Sequence, residues 1–189
     1  MRSLVLIPVL LLAACDLVPV ARTATYDPGV AASVDQAMCR LGFTAVPMTE
    51  LPSGHHLVEA ILNGKPARFV VDTGANATVL HAPLVAEYGL ERALGAAAAV
   101  GLGGQAKAGL WRYQTLKIGA VETPAGRIIS TDLGQMVSVL GARPDQPIVG
   151  IIGQDVLSAQ QAVIDVPRPI LYLRSKGAPS AVDPASCEA

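Results

Sequence analysis

Apolar positions along the chain fall into three regimes. From Leu4 to Leu12 they are nearly continuous; from Val30 to Leu41 they recur at Val30, Val34, Met38 and Leu41; from His56 to Leu173 they form short runs broken by glycine and proline. The helical spacing of the second regime predicts a short amphipathic helix, with the rest of 30–54 as linker. In the third, two β-rich runs at 57–62 and 65–72 flank Asn63-Gly64, a pair that accepts the positive φ of a type I′ turn, so a β-hairpin is predicted. Further strands are predicted at 78–80, 97–102, 109–118, 126–130, 162–166 and 170–173, and short helices at 83–88 and 154–159. Many short strands with one or two short helices predict an all-β fold, a closed barrel or folded sheet, rather than alternating α/β units. The sequence carries no internal repeat, low-complexity tract or heptad pattern.

Composition sharpens this in two ways. Hydrophobic residues make up 51% of the 189 but aromatics only 4%, so one aliphatic core of Val, Ile, Leu and Ala is expected. A net charge of -1 with 15% charged residues leaves no basic surface for nucleic acid. At the N-terminus, Arg2 precedes an apolar stretch too short to span a bilayer, which reads as a signal peptide. Its end, Leu12-Ala13-Ala14-Cys15, resembles the lipobox of bacterial lipoproteins. That resemblance implies removal of 1–14, lipidation of Cys15, a tether over 15–29, and a membrane partner reached through the anchor on the periplasmic side of the envelope. Asp16 resembles an inner-membrane retention signal. In an oxidising periplasm Cys39 and Cys187 can pair, and the sequence leaves open whether they do.

The segment with most chemistry is Phe69-Val70-Val71-Asp72-Thr73-Gly74-Ala75, followed by Thr78-Val79-Leu80, where an apolar strand ends in a carboxylate, a hydroxyl and a glycine. It resembles the active-site loop of retropepsins and their bacterial single-domain relatives. Ile148 to Leu157, containing Ile151-Ile152-Gly153, resembles the hydrophobic-Gly strand and helix beside that loop. Gly101-Leu102-Gly103-Gly104 lies where the family carries its flap, and 162–173 resembles its closing hairpin. The resemblance covers 55–174 as the domain, leaving 175–189 as a flexible tail. It implies an aspartic endopeptidase with Asp72 as catalytic carboxylate, Thr73 tying two loops across a two-fold axis, Gly74 bringing its N–H to the carboxylate, and Ala75 where pepsin-like enzymes carry a hydroxyl. Only one Asp-Thr-Gly occurs, so two copies of the chain are needed for a pair of carboxyls sharing one proton. The expected substrate is an extended peptide, and the chemistry calls for no cofactor or metal. The alternative is a catalytically silent module of the same fold that binds an envelope protein.

Other chemistries find less support. Adjacent His55 and His56 lack the further ligands of a metal set, His81 lacks a nucleophile in a triad context, and the glycine-rich stretch lacks the lysine and helix of a phosphate loop. Trp111 and Tyr113 read as sheet-packing residues, and Asp132, Asp145, Asp155 and Asp165 as turn, cap or surface carboxylates.

Overall fold

The computed structural model describes residues 28–95, 97, 99–101, 104–140, 147–175, 177–178 and 187. Helix α1 (Pro28–Arg40) leads into β1 (Thr44–Glu50), β2 (His56–Leu62), β3 (Lys65–Val71) and β4 (Val79–His81), then one 3-10 turn at Ala82–Leu84. Strands β5 (Glu91–Arg92), β6 (Ala99–Gly101), β7 (Gly104–Ala106), β8 (Gly109–Tyr113), β9 (Leu116–Ile118), β10 (Val121–Thr123) and β11 (Gly126–Thr131) follow. Helix α2 (Gly134–Val139), β12 (Gly150–Ile152), helix α3 (Gln154–Ala159), β13 (Val163–Asp165) and β14 (Ile170–Leu173) complete the order. The β2–β3 hairpin turns at Asn63 and Gly64, with φ of 48° and 79°, which is the type I′ geometry their side chains tolerate.

The main sheet runs β13-β14-β1-β2-β3-β12-β4-β11-β8-β5, with β9 and β10 branching from β2, and β6–β7 forms a hairpin of its own. The two ends of that path do not pair, so the sheet is folded and open, not the closed barrel that was one of the two sequence expectations. At its centre β4 and β12 pair antiparallel, β12 lies parallel to β3, and β4 lies parallel to β11. Strand–loop–strand units β3–β4 and β11–β12 are thus related by an approximate two-fold, although their sequences show no repeat. Phe69 faces the main core and Val70 a second cluster with Leu57, Leu140 and Ile148, so the end of β3 is buried on both faces, the reason Phe69-Val70-Val71 is continuously apolar.

Several expected boundaries need correction. Residues 44–50 are not linker: β1 pairs with both β14 and β2 in the middle of the sheet. The run expected as one strand at 109–118 is two, β8 and β9, because the chain turns at Gln114 and Thr115, whose N–H groups both donate to Asn63 Oδ1. Helix α2 lies in an interval with no recognised motif, and the short helix expected at 83–88 is the 3-10 turn at Ala82–Leu84 followed by turns. His56 opens β2, with Nε2 buried and lacking a hydrogen-bond partner among the described residues.

Helix α1 is held to the closing hairpin by charge and to the C-terminal segment by a covalent bond. Arg168 donates from Nη1 to Asp35 Oδ2 at 2.8 Å and from Nε to Asp165 Oδ2 at 2.6 Å, while the Tyr172 hydroxyl donates to Asp35 Oδ1. Burial, reinforced by the Asp35 charge, pushes the Tyr172 phenol up to about 12. A disulfide joins Cys39 to Cys187, with Cα atoms 5.8 Å apart, so at least that point of the segment expected as a free tail is tied to α1; Cys15 and most of 175–189 lie outside the described residues.

The Tyr172 hydrogen bond and the Arg168 guanidinium hold the Asp35 carboxyl below its ordinary 3.8. The stability this adds is therefore present above pH 3.8 and lost as pH falls through the lower folded value. Thermal melts of the chain and of Asp35→Asn should differ at neutral pH and converge as the pH is taken below 3.8. In β12, a Cβ on Gly150 would lie 2.1 Å from Val79 O and 2.9 Å from Phe69 Cε1. Gly150→Ala should destabilise by about 3 kcal/mol in urea unfolding, since neither backbone nor core ring can give way cheaply.

Candidate active site

Strand β3 ends at Val71, but Asp72 is still laddered to β12: its N–H donates to Ile152 O at 3.1 Å. The chain then folds back on the carboxylate, with Gly74 N–H donating to Asp72 Oδ1 at 2.8 Å and Ala75 N–H to Asp72 O at 3.3 Å. Glycine suits position 74, because a Cβ there would stand 3.2 Å from Oδ1. The carboxylate is half-buried, and Thr73 and Gly74 are exposed at the loop tip.

The loop is braced by the β12–α3 junction. Gly153 passes so close that a Cβ would lie 2.5 Å from Ala77 O and 2.8 Å from Ala75 O, a contact only glycine permits. Fully buried Thr78 accepts from Gly153 N–H at 3.2 Å and donates from Oγ1 to Asp155 Oδ1 at 2.7 Å; the same oxygen of Asp155 takes Val156 N–H at 2.8 Å. Gln154 donates its backbone N–H to Ala75 O at 2.8 Å and its side-chain Nε2 to Thr73 O at 2.9 Å. Ile151 and Ile152, the apolar pair before Gly153, sit in β12 and lock it into both neighbours. Beside the tip lies a groove of about 150 Å³ lined by Thr73, Gln154, Leu157, Ser158, Ala162 and Ile164.

Of the glycine-rich flap segment, Gly101 and Gly104 pair at the closed end of the β6–β7 hairpin, and Leu102 and Gly103 lie outside the described residues. The arm leading out of the hairpin is anchored at Trp111, whose Nε1 donates to Ser130 Oγ at 2.8 Å and whose ring carries the Arg92 guanidinium 5.5 Å from its centre. Asp132 closes a turn by accepting Gly134 N–H at 2.9 Å and lies 3.7 Å from His81 Nδ1. Asp155 sits in the first turn of α3, where it accepts Val156 N–H, Asp165 serves the turn to Arg168, and Asp145 lies outside the described residues. Among the described residues no cluster of three His, Cys, Asp or Glu side chains is placed to hold a metal ion.

Thr78, Gln154 and Asp155 were not singled out as site residues from sequence. Thr78 read as the start of a strand and Asp155 as a cap. Their partnership joins positions 77 apart, a pairing that no local pattern announces.

No curated protein matches the chain. Among solved structures, EIAV protease complexed with the inhibitor HBY-793 is 20% identical, with 62% of this chain and 98% of that one covered and a TM-score of 0.47. A retropepsin-like aspartic protease from Rickettsia conorii is also 20% identical, with 71% and 91% covered and a TM-score of 0.46. The model of the family described as gag-polyprotein putative aspartyl protease matches residues 58–159, more than half of the chain, from β2 through the Asp72 loop to the end of α3. The chain belongs to that aspartyl protease family.

Proposed function

We propose that the chain is an aspartic endopeptidase that works as a homodimer, each copy contributing Asp72. The observation that carries this reading is the half-buried Asp72 carboxylate, held at Oδ1 by Gly74 N–H at the exposed tip of a braced loop. Peptide hydrolysis by this chemistry needs a second carboxyl within ~3 Å, so that the pair shares one proton. Asp132, at the end of the two-fold-related strand β11, does not supply it. Strands β3 and β11 are three strand spacings apart, about 4.8 Å each. The register also sends them to opposite ends of β4: Val71 is level with Ile152, beyond Val79, whereas Thr131 is level with His81. Asp155 is engaged by Thr78 and Val156 N–H, and Asp165 by Arg168. With these described aspartates engaged or out of reach, the reading draws the second carboxyl from another Asp72, and the exposed loop tip leaves a face on which a twin can meet it.

In the dimer one carboxyl is ionised and takes a proton from a water lying between the pair; the other is protonated and hydrogen-bonds the scissile carbonyl. Water attacks without a covalent enzyme intermediate. The substrate is an extended peptide held between the β6–β7 hairpin and the sheet by main-chain hydrogen bonds, with side-chain pockets setting preference. The Cys39–Cys187 disulfide supports an oxidising compartment, in keeping with a lipid anchor at Cys15 and a periplasmic location.

Cleavage of a mixed peptide library by the full chain should fall about 10³-fold or more in Asp72→Asn, and specific activity should itself drop on dilution as dimers separate. Equal cleavage by both proteins, or no cleavage by either at any concentration, would favour a peptide-binding module instead.

A further inference from the structure

The peptide unit between Thr73 and Gly74 carries a hydrogen bond at each end. Its N–H, on Gly74, donates to Asp72 Oδ1 at 2.8 Å; its C=O, on Thr73, accepts from Gln154 Nε2 at 2.9 Å. A peptide unit is planar and rigid, so whatever fixes the direction of the carbonyl also fixes the direction of the N–H. Gln154 is itself fixed at both ends. Its backbone N–H is bound to Ala75 O at 2.8 Å, and its Oε1 accepts from Ser158 Oγ, one helical turn on, at 3.0 Å. A carbonyl can only accept, so the face of the Gln154 amide toward Thr73 must be the NH₂ end, and the Ser158 hydroxyl must then be the donor to Oε1.

Ser158 hydroxyl, Gln154 amide, Thr73–Gly74 peptide and Asp72 carboxylate therefore form one head-to-tail chain in which every donor points toward the carboxylate. Each link polarises the next, and the whole favours the ionised acceptor at its end. We infer that Gln154 is a positioning residue for Asp72, aiming the Gly74 N–H at Oδ1 through the Thr73–Gly74 peptide, with Ser158 setting the rotation of its amide. The charged neighbour on α3, Asp155, is engaged by Thr78 and Val156 N–H rather than by the loop tip. Both Gln154 and Ser158 line the groove beside the tip.

The kinetic part of this inference rests on Asp72 being catalytic; its spectroscopic part does not. The test is a proton–nitrogen-15 spectrum of the full chain labelled at glycine, the Gly74 amide being assigned from its loss in Gly74→Ala. Gln154→Ala should move the Gly74 amide proton upfield and speed its exchange with solvent about 3- to 10-fold, and Ser158→Ala, which leaves the amide in place and removes only an exposed hydroxyl, should do so by a smaller step. In peptide cleavage Gln154→Ala should lower kcat by about 3- to 10-fold with KM changed less than about 2-fold. A Gly74 amide unchanged in both variants, with melting temperatures showing them folded, would overturn the assignment. A displaced amide in a chain that cleaves nothing would uphold it while counting against the protease reading.

Discussion

For Asp72 to be held where it is, two backbone segments far apart in the chain must lie in direct contact. Thr73 and Gln154 are 81 positions apart, yet the loop that carries one and the helix start that carries the other are joined by hydrogen bonds from Gly153, from the Gln154 backbone and from the Gln154 side chain. That contact exists because Gly150 and Gly153 carry no Cβ, and because a buried hydroxyl, Thr78, satisfies the Gly153 N–H that the close approach would otherwise strand. The sheet topology follows from the same constraint. Strand β12 must slide between β3 and β4 to deliver the junction, which leaves the end of β3 buried on both faces just before a carboxylate.

The division of labour in the fold follows from this. Loop 72–78 bears Asp72, the β12–α3 junction braces it, and the β6–β7 hairpin pairs in a two-stranded sheet of its own. The N-terminal helix lies outside this machinery. It is fastened to the closing hairpin through Asp35, which meets Arg168 and Tyr172, and to Cys187 by a disulfide.

Much of this was legible in the residues. Asn63-Gly64 fixed a hairpin because the turn has one backbone geometry that few residue pairs accept, and Ile170 to Leu173 read as the strand it is. The Asp-Thr-Gly loop and the Ile-Ile-Gly strand were recognisable because each is set by close backbone packing, which leaves a mark in glycine. Strand β1 was missed since Pro47 and the polar Thr44, Thr49 and Glu50 blur its alternation, and only its two neighbours make it a strand. Helix α2 lacks a recognisable cap and is held by packing of Met136 and Val137 on the second cluster. The approximate two-fold between β3–β4 and β11–β12 is invisible in sequence because it is a property of pairing directions, and the bracing roles of Thr78, Gln154 and Asp155 are invisible because their partners are so distant along the chain.

The central claim is that hydrolysis requires two copies of Asp72 at once, and mixing intact chains with Asp72→Asn chains at fixed total concentration tests it most directly. If both carboxyls are needed, activity follows the square of the intact fraction, so that an equal mixture after subunit exchange keeps about a quarter of full activity. A decline in simple proportion to the intact fraction would mean that one chain suffices, and would contradict the account.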